Sequence, residues 1–362
     1  MNWIWNRVVS DIAVDMSKIS RSRGAQKPTR PMNSVTNEEV LDTLNECNND
    51  NAPGLSGLTY RVWKWVAAIA PDQLITVVRA SFRLGIHHTS WKQSLVAVIP
   101  KNNKKDMSLP KSHRPIQLIE CLGKLVEKIA ARRIAFDLGK YNLMPFNQFG
   151  GRSNSSCLDA GLSLLHDIFE AHRRDLVTSF LAIDIKGFFD HAGHEHLLDI
   201  LLHLGFHPTF VKWVGSFLSE RFVRVQVDDY VGDPHPQMVG YPQGSPISPI
   251  LACIFASLVL ERLNADPIFD ATGSCPIPVC PSAYVDDFEF HASSTDLSTS
   301  THLLKCTLDA AVRTLDSIGL TIDPDKCDLM HFSWRASGKG VSAYFAYTAY
   351  LTLFPAIWSI KN

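Results

Sequence analysis

The chain has 362 residues, room for one large domain or two ordinary ones, and its 46% hydrophobic and 20% charged content excludes wholesale disorder. A formal net charge of -1 excludes a global basic footprint, so any nucleic-acid surface must be local. Eight cysteines lie scattered through apolar stretches without a CxxC pair or a disulfide framework, which points to an intracellular, reducing compartment; a nuclear setting is compatible with this but nothing in the sequence indicates it.

Residues 1–35 end in the basic, breaker-rich stretch Arg21 to Pro31 and read as an arm or linker; 36–92 read as an extension leading into the following segment. Thr36 with Glu39 makes a capping box ahead of Val40, Leu41 and Leu44, predicting a short helix that stops before Asn48. A strand is expected over Leu95 to Ile99, and a helix over Leu122, Leu125, Val126 and Ile129, with Gly139 as its stop. Between Lys92 and Arg152 twelve basic residues face four acidic ones, which makes this segment the expected local surface for any nucleic-acid partner. Leu158, Leu162, Leu165 and Phe169 mark another helix, and Phe180 to Ile185 an apolar strand whose end carries Asp184.

His194 to Leu204 reads as a helix stopped by Gly205, and Val223, Val225 and Val227 alternate as in a half-solvated strand. Ser248 and Pro249 open a helix through Leu263 that is apolar on nearly every side and therefore buried. Pro281 to Phe290 is strand-like on both sides of Asp286 and Asp287, the pattern of a hairpin presenting two acids at its tip. Leu304, Leu308, Ala311 and Leu315 mark a last helix ending at Gly319. Strands alternate with helices and no repeat is found, so the class is α+β. Val341 to Ile360 carries no charge and has the length of a membrane span, but its serines, threonines, tyrosines and Pro355 dilute it; a packed or frayed tail is expected, and a membrane partner is not.

Extending a primer by one nucleotide takes two Mg²⁺ ions, with Mn²⁺ able to substitute, and hard cations demand hard oxygens. An acid ending one strand beside an acid pair on a hairpin supplies them, because carboxylates that repel one another become favourable once metal charge sits between them. Asp184, Asp286 and Asp287 match that requirement and are expected to converge. An Asp-Asp pair alone is more often a solvated turn.

The motifs around these acids resemble those of reverse transcriptases of the non-LTR retrotransposon type. Ala182 to Asp190 resembles their first catalytic motif, Tyr284 to Asp287 their aromatic-x-Asp-Asp box, and Gly240 to Pro249 their nucleotide-pocket motif. Ile99 to Lys101 and His113 to Ile116 resemble the fingers motifs, Asn147 to Ser153 the segment before the palm, and Gly319 to Lys326 the palm's lysine motif. The resemblance covers about residues 52–335 and implies a right-hand polymerase: fingers over 93–177 and a palm over 178–335, with an antiparallel sheet packed on helices. The tail 336–362 matches nothing in the pattern, so the thumb is expected to be missing.

The implied function is RNA-directed DNA polymerisation from dNTP on an RNA template with a DNA primer, with no obligate protein partner; the alternative is an inactive remnant that at most binds RNA. The resemblance implies catalytic roles for Asp184, Asp286, Asp287 and Lys326, the last as proton donor to pyrophosphate, with the three acids as the metal ligands. It implies triphosphate binding by Arg114 and Lys101, a sugar contact by Phe189 that excludes a 2′-hydroxyl, and nucleotide contacts by Gln243 and Gly244. Asp190 is read as structural. His191, His194, His196, His203 and His207 show no ligand pattern and read as solvated helix positions; Cys275 and Cys280 read as loop thiols. An RNA polymerase's Gly-Asp-Asp hairpin and a nucleotide cyclase's Gly-Gly-acidic hairpin are both absent.

Overall fold

A computed structural model describes residues 26–102, 106–109, 112–152, 154–227, 229–266 and 279–333. The first 25 residues of the predicted arm, Cys275 and the tail 336–362 lie outside the described residues. In chain order the elements are α1 (Asn37–Asn45), α2 (Tyr60–Ile69), α3 (Pro71–Leu84), β1 (Gln93–Pro100), β2 (His113–Ile119), α4 (Cys121–Lys140), α5 (Cys157–His172), β3 (Val177–Ile183), the single turn α6 (Phe188–His191), α7 (His194–His203), α8 (Pro208–Leu218), β4 (Arg221–Val227), β5 (Tyr230–Val231), β6 (His235–Gln237), α9 (Ser248–Ala265), β7 (Cys280–Tyr284), β8 (Asp287–Ser294), α10 (Leu297–Ser317) and β9 (Asp328–Phe332). They form two compact units, residues 26–137 with 189–252 and residues 138–188 with 253–333. The units interleave along the chain, whereas the segments expected from sequence are consecutive; pairing partners such as β1 and β4 lie far apart in the chain.

The first unit holds a sheet in the order β2-β1-β4-β5, with β6 also on β4. β1 and β2 pair antiparallel while β1 and β4 run parallel, and Val96, Val223 and Val225 form the sheet's packed face with Val98 against them. Thr36 caps α1 as expected, its hydroxyl accepting from the Glu39 amide at 3.1 Å. The described part of the arm is docked: the Lys27 and Arg30 amides donate to the His203 and Gly205 carbonyls at 3.0 and 2.9 Å, and the Arg30 guanidinium lies 4.6 Å over the Phe206 ring. α4 runs one residue past its predicted stop, because the chain turns at Asn142, whose left-handed φ of 47° lets the Leu143 amide close onto the Leu138 carbonyl at 3.0 Å.

Among the described residues, several of the segment's basic side chains are engaged within the fold. Arg133 grips Glu39 at 2.7 Å, Arg132 and Lys128 both meet Glu46, Lys124 reaches the Ala52 carbonyl, and buried Lys92 faces Glu220. Charges spaced at random around a helix find acids on the elements packed against it, so a basic count along the chain overstates the free basic surface. Arg114 stands exposed on β2.

The second unit is built on the antiparallel sheet β7-β8-β3-β9. Neighbouring residues on β3 face opposite sides, and the partners confirm it: Ser179 bonds Ser300 of α10 at 2.7 Å, while the residue paired with Phe180, His291, bonds Asp167 of α5 at 3.0 Å. α10 and α5 therefore cover opposite faces. Leu181, Phe288, Phe290, Leu304, Leu308 and Ala311 are buried in this unit. The stripe that marks α5 in the sequence is its outward face: Leu158 is 73% exposed and Leu162, Leu165 and Phe169 are exposed too, while Ala160, Ile168 and Ala171 are buried.

α9 is the one helix among the described residues long and apolar enough to cross a membrane, and it is mostly buried inside the protein, as its all-round apolarity requires.

Candidate active site

Asp184 follows the last residue of β3, and its backbone is pinned by the neighbouring segment. The Asp184 carbonyl accepts from the Asp323 amide at 2.8 Å, the Lys186 amide donates to the Thr321 carbonyl at 2.8 Å, and Ile185 bridges Ile322. β7 and β8 close over a two-residue turn, Val285 and Asp286, with Tyr284 paired to Asp287. Because Ile183 pairs with Phe288, Asp184 falls at the same end of the sheet as the hairpin tip.

Asp184, Asp287, Tyr284 and Lys326 line one cavity of about 260 Å³. Asp286 is not among the residues that line it and acts on Cys253, whose thiol is pushed up to about 12 by burial and then by the Asp286 charge. Burial, then the Asp287 and Asp184 charges, raises the Asp286 carboxyl to about 6, and burial and Asp184 raise Asp287. The Asp184 charge is thus felt at both hairpin acids. Lys326 answers part of that charge: its ammonium lies 2.6 Å from Asp184 Oδ2 and 3.4 Å from Asp323 Oδ2. Burial alone would lower the Lys326 pKa, but Asp184 and Asp323 outweigh it and raise it, so the ammonium stays charged. A set of hard carboxylate oxygens, two of them on groups raised by burial and by neighbouring acid charge, that already holds a cationic group fits divalent metal binding.

The turn itself is strained. Val285 has a φ of 62°, in the left-handed region that a β-branched residue enters at a cost of about 1–2 kcal/mol. Gln148, fully buried, holds it there: its Oε1 accepts from the Val285 amide at 3.0 Å and its Nε2 donates to the Val285 carbonyl at 3.1 Å. The Gly150 amide donates to the same Oε1 at 2.9 Å, and a Cβ at Gly150 would lie 2.4 Å from the Val285 nitrogen. Sequence reasoning quoted Gln148 within a motif but assigned it nothing. Its side-chain bonds to a distant turn leave no periodic trace in the sequence.

The remaining candidates belong to the first unit. Phe189 is half-buried, its carbonyl accepts from the Tyr241 amide at 2.6 Å, and its ring stands edge-on to buried Tyr241 at 6.5 Å. Gln243 Nε2 donates to Asp190 Oδ1 at 2.9 Å, so Asp190 positions the glutamine, in keeping with its structural reading. Gly244 has a φ of 134°, and a Cβ there would lie 2.3 Å from the Gln117 carbonyl; the close approach it allows is to β2. Its neighbour Gln243 accepts at its carbonyl from the Gln117 amide at 2.6 Å. Lys101 is half-buried just after β1, its amide donating to Ser112, and Arg114 projects from the paired strand β2.

Glu127 is a supporting residue that sequence reasoning missed. Fully buried on α4, it accepts from Ser245 Oγ at 2.5 Å, with His87 3.4 Å away. Burial works to raise Glu127, and His87, Arg221 and Ser245 outweigh it and hold it below the usual carboxylate range. It thus anchors the Gly240 to Pro249 loop from beneath. Two of the histidines read as solvated are not: His196 is 2% exposed, and His194 Nε2 lies 2.8 Å from the Gly240 carbonyl, at the start of the same loop.

Comparison with known proteins places the chain in a family. The family model described as "Reverse transcriptase (RNA-dependent DNA polymerase)" matches residues 99–349. The chain is 28% identical over 313 residues to the "RNA-directed DNA polymerase from mobile element jockey" of Drosophila melanogaster, covering 86% of this chain and 33% of that protein. It is 26% identical over 227 residues to the "Probable RNA-directed DNA polymerase from transposon BS" of the same species, covering 63% of this chain and 25% of that one. It is 27% identical over 244 residues to the "Retrovirus-related Pol polyprotein from type-1 retrotransposable element R2" of Popillia japonica, covering 66% and 32%. The chain thus spans about a third or less of these relatives' length. With its strand-end acid, its acid-bearing hairpin and a family match over more than half its length, the chain belongs to the reverse transcriptase (RNA-dependent DNA polymerase) family, and within it to the non-LTR retrotransposon kind.

Proposed function

We propose that this chain is the polymerase core of a non-LTR retrotransposon reverse transcriptase, joining dNTP to the 3′-hydroxyl of a DNA primer on an RNA template. In this reading 93–177 are the fingers and 178–335 the palm. The observation that carries it is the pair of acids at the tip of a strained, clamped hairpin beside a strand-end acid and a paired lysine. Two Mg²⁺ ions, with Mn²⁺ able to stand in, would supply activation of the 3′-hydroxyl and neutralisation of the leaving pyrophosphate. Asp184, Asp286 and Asp287 would hold them.

The chain's own groups do the rest. Lys326, kept charged beside Asp184, carries the proton that departing pyrophosphate takes up. Arg114 on β2 and Lys101 just after the paired strand β1 grip the triphosphate, a guanidinium fork matching its oxygens. Phe189, packed edge-on to Tyr241, serves as the sugar contact, and Gln243, steadied by Asp190, together with Gly244 serves the nucleotide. A reducing, intracellular setting is proposed from the free thiols among the described cysteines.

Primer extension by the full chain tests this. With an RNA template, a DNA primer and Mg²⁺ we expect template-dependent incorporation of dNTP; binding of primer-template without incorporation at any metal concentration would count against it.

A further inference from the structure

A second cluster of ligand-type side chains lies at the far end of the catalytic hairpin. Cys280 opens β7 and pairs directly across the sheet with His291 of β8, and Asp167 reaches the same point from α5. One ligand atom from each lies within 4.8 Å of the others, and His291 Nε2 is 3.0 Å from Asp167 Oδ2. Cys280 stands four residues from Tyr284 at the hairpin tip, which at strand rise is about 13 Å. The cluster is therefore separate from the carboxylate cavity.

We infer that Asp167, Cys280 and His291 form a second metal site, for a thiophilic divalent cation of the zinc class. The donor set argues for this class. One nitrogen, one sulfur and one carboxylate oxygen suit a borderline-soft ion, whereas Mg²⁺ and Ca²⁺ seek oxygen alone. Metal-ligand bonds of about 2.0–2.3 Å place tetrahedral ligand atoms roughly 3.3–3.5 Å apart, within reach of the present spacing after side-chain adjustment. His291 is 6% exposed, Cys280 half-buried and the Asp167 side chain 39% exposed, so the cluster runs from the interior to the surface, where water can complete the coordination. The plain alternative is a His291–Asp167 ion pair tying α5 to the sheet. The Cys280 thiol meets the same histidine, so sulfur, nitrogen and carboxylate oxygen converge at one point, which an ion pair alone does not require. A metal here joins α5 to both strands that carry the catalytic turn, which makes it a structural fastener of the hairpin. Binding releases the Cys280 thiol proton and the Nε2 proton that His291 shares with Asp167, and forms the sulfur-metal and nitrogen-metal bonds, with no change of oxidation state.

The test is Co²⁺ titration of the full chain without Mg²⁺. We expect a thiolate-to-cobalt charge-transfer band that saturates at one equivalent and is removed by Zn²⁺. The band should vanish in Cys280→Ser, weaken roughly tenfold or more in affinity in Asp167→Asn, and persist in Asp286→Asn. Far-ultraviolet circular dichroism identifies any variant that fails to fold, and should Cys280→Ser do so, the partly exposed Asp167→Asn variant decides. A wild-type chain without the band, a band that survives in Cys280→Ser, or an affinity unchanged in Asp167→Asn overturns the site. None of these readouts depends on polymerase activity.

Discussion

Replacing Gln148 with alanine should disable the catalytic turn more than it harms the fold. The side chain makes three hydrogen bonds to main-chain groups, two of them to Val285. Each contributes about 1 kcal/mol net, and leaving three partly or fully buried groups unmatched costs about 2–4 kcal/mol in all. Against the two bonds to Val285 stands its left-handed φ of 62°, which costs about 1–2 kcal/mol. With Gln148 present the bonds hold the strain; without it the strain is released by moving the turn that carries Asp286. A shift of about 2 kcal/mol away from the competent turn lowers single-nucleotide incorporation roughly thirtyfold. Val285→Gly, which adopts the same φ freely, should return about 1 kcal/mol of that loss in the Gln148→Ala background while changing the otherwise intact protein far less. The assay is single-turnover primer extension with thermal unfolding on all four proteins, read as a double-mutant cycle. Full activity in Gln148→Ala, or strictly additive effects in the double variant, would refute the clamp.

Phe189→Val should admit ribonucleotides, raising their incorporation efficiency roughly ten- to a hundredfold while deoxynucleotide efficiency changes much less; equal loss of both would reduce Phe189 to a packing residue against Tyr241. Glu127→Leu should destabilise the chain by about 3–5 kcal/mol in denaturant titration, because it leaves the fully buried Arg221 without its counter-charge and frees Ser245; a cost below about 1 kcal/mol would contradict the anchoring role. Asp286 predicts a pH dependence. Its folded pKa, about 6, lies above the ordinary value of about 4, so the folded state favours the protonated form, and the metal-free protein loses stability as pH rises from about 4 to about 6. Mg²⁺ needs the ionised form, so thermal stabilisation by Mg²⁺ should be large above pH 6 and fade below it; a stabilisation equal at pH 5 and pH 7.5 would contradict the assignment.

The site's acids were legible because each rests on local pattern. An apolar strand ends at Asp184, and two strand-like runs flank Asp286 and Asp287, so their placement needs no knowledge of distant partners. The capped α1 and the all-apolar α9 were legible for the same reason. What escaped depends on contacts between segments remote in the chain. Gln148 bonds main-chain atoms of a turn, Glu127 holds a loop hydroxyl, and Cys280 meets His291 only once β7 and β8 are paired in register. The stripe on α5 shows a second limit: periodicity reveals that a helix has an apolar face but does not say that the face is inward, and here the small residues Ala160 and Ala171 pack inside. Charge counting over Lys92 to Arg152 likewise does not say which basic groups meet acids: Glu39 and Glu46 of another segment pair with Arg133 and Arg132.

The central claim is that Asp184, Asp286 and Asp287 serve one nucleotidyl-transfer site, and separating chemistry from binding tests it most directly. Asp184→Asn keeps the size of the side chain and removes the charge that Lys326 answers. In a single-nucleotide extension assay on an RNA template, with primer-template affinity measured in parallel, incorporation should fall by at least about a thousandfold while the affinity stays within a few-fold of the unaltered chain. An Asp184→Asn protein that extends the primer at an undiminished rate would contradict the account.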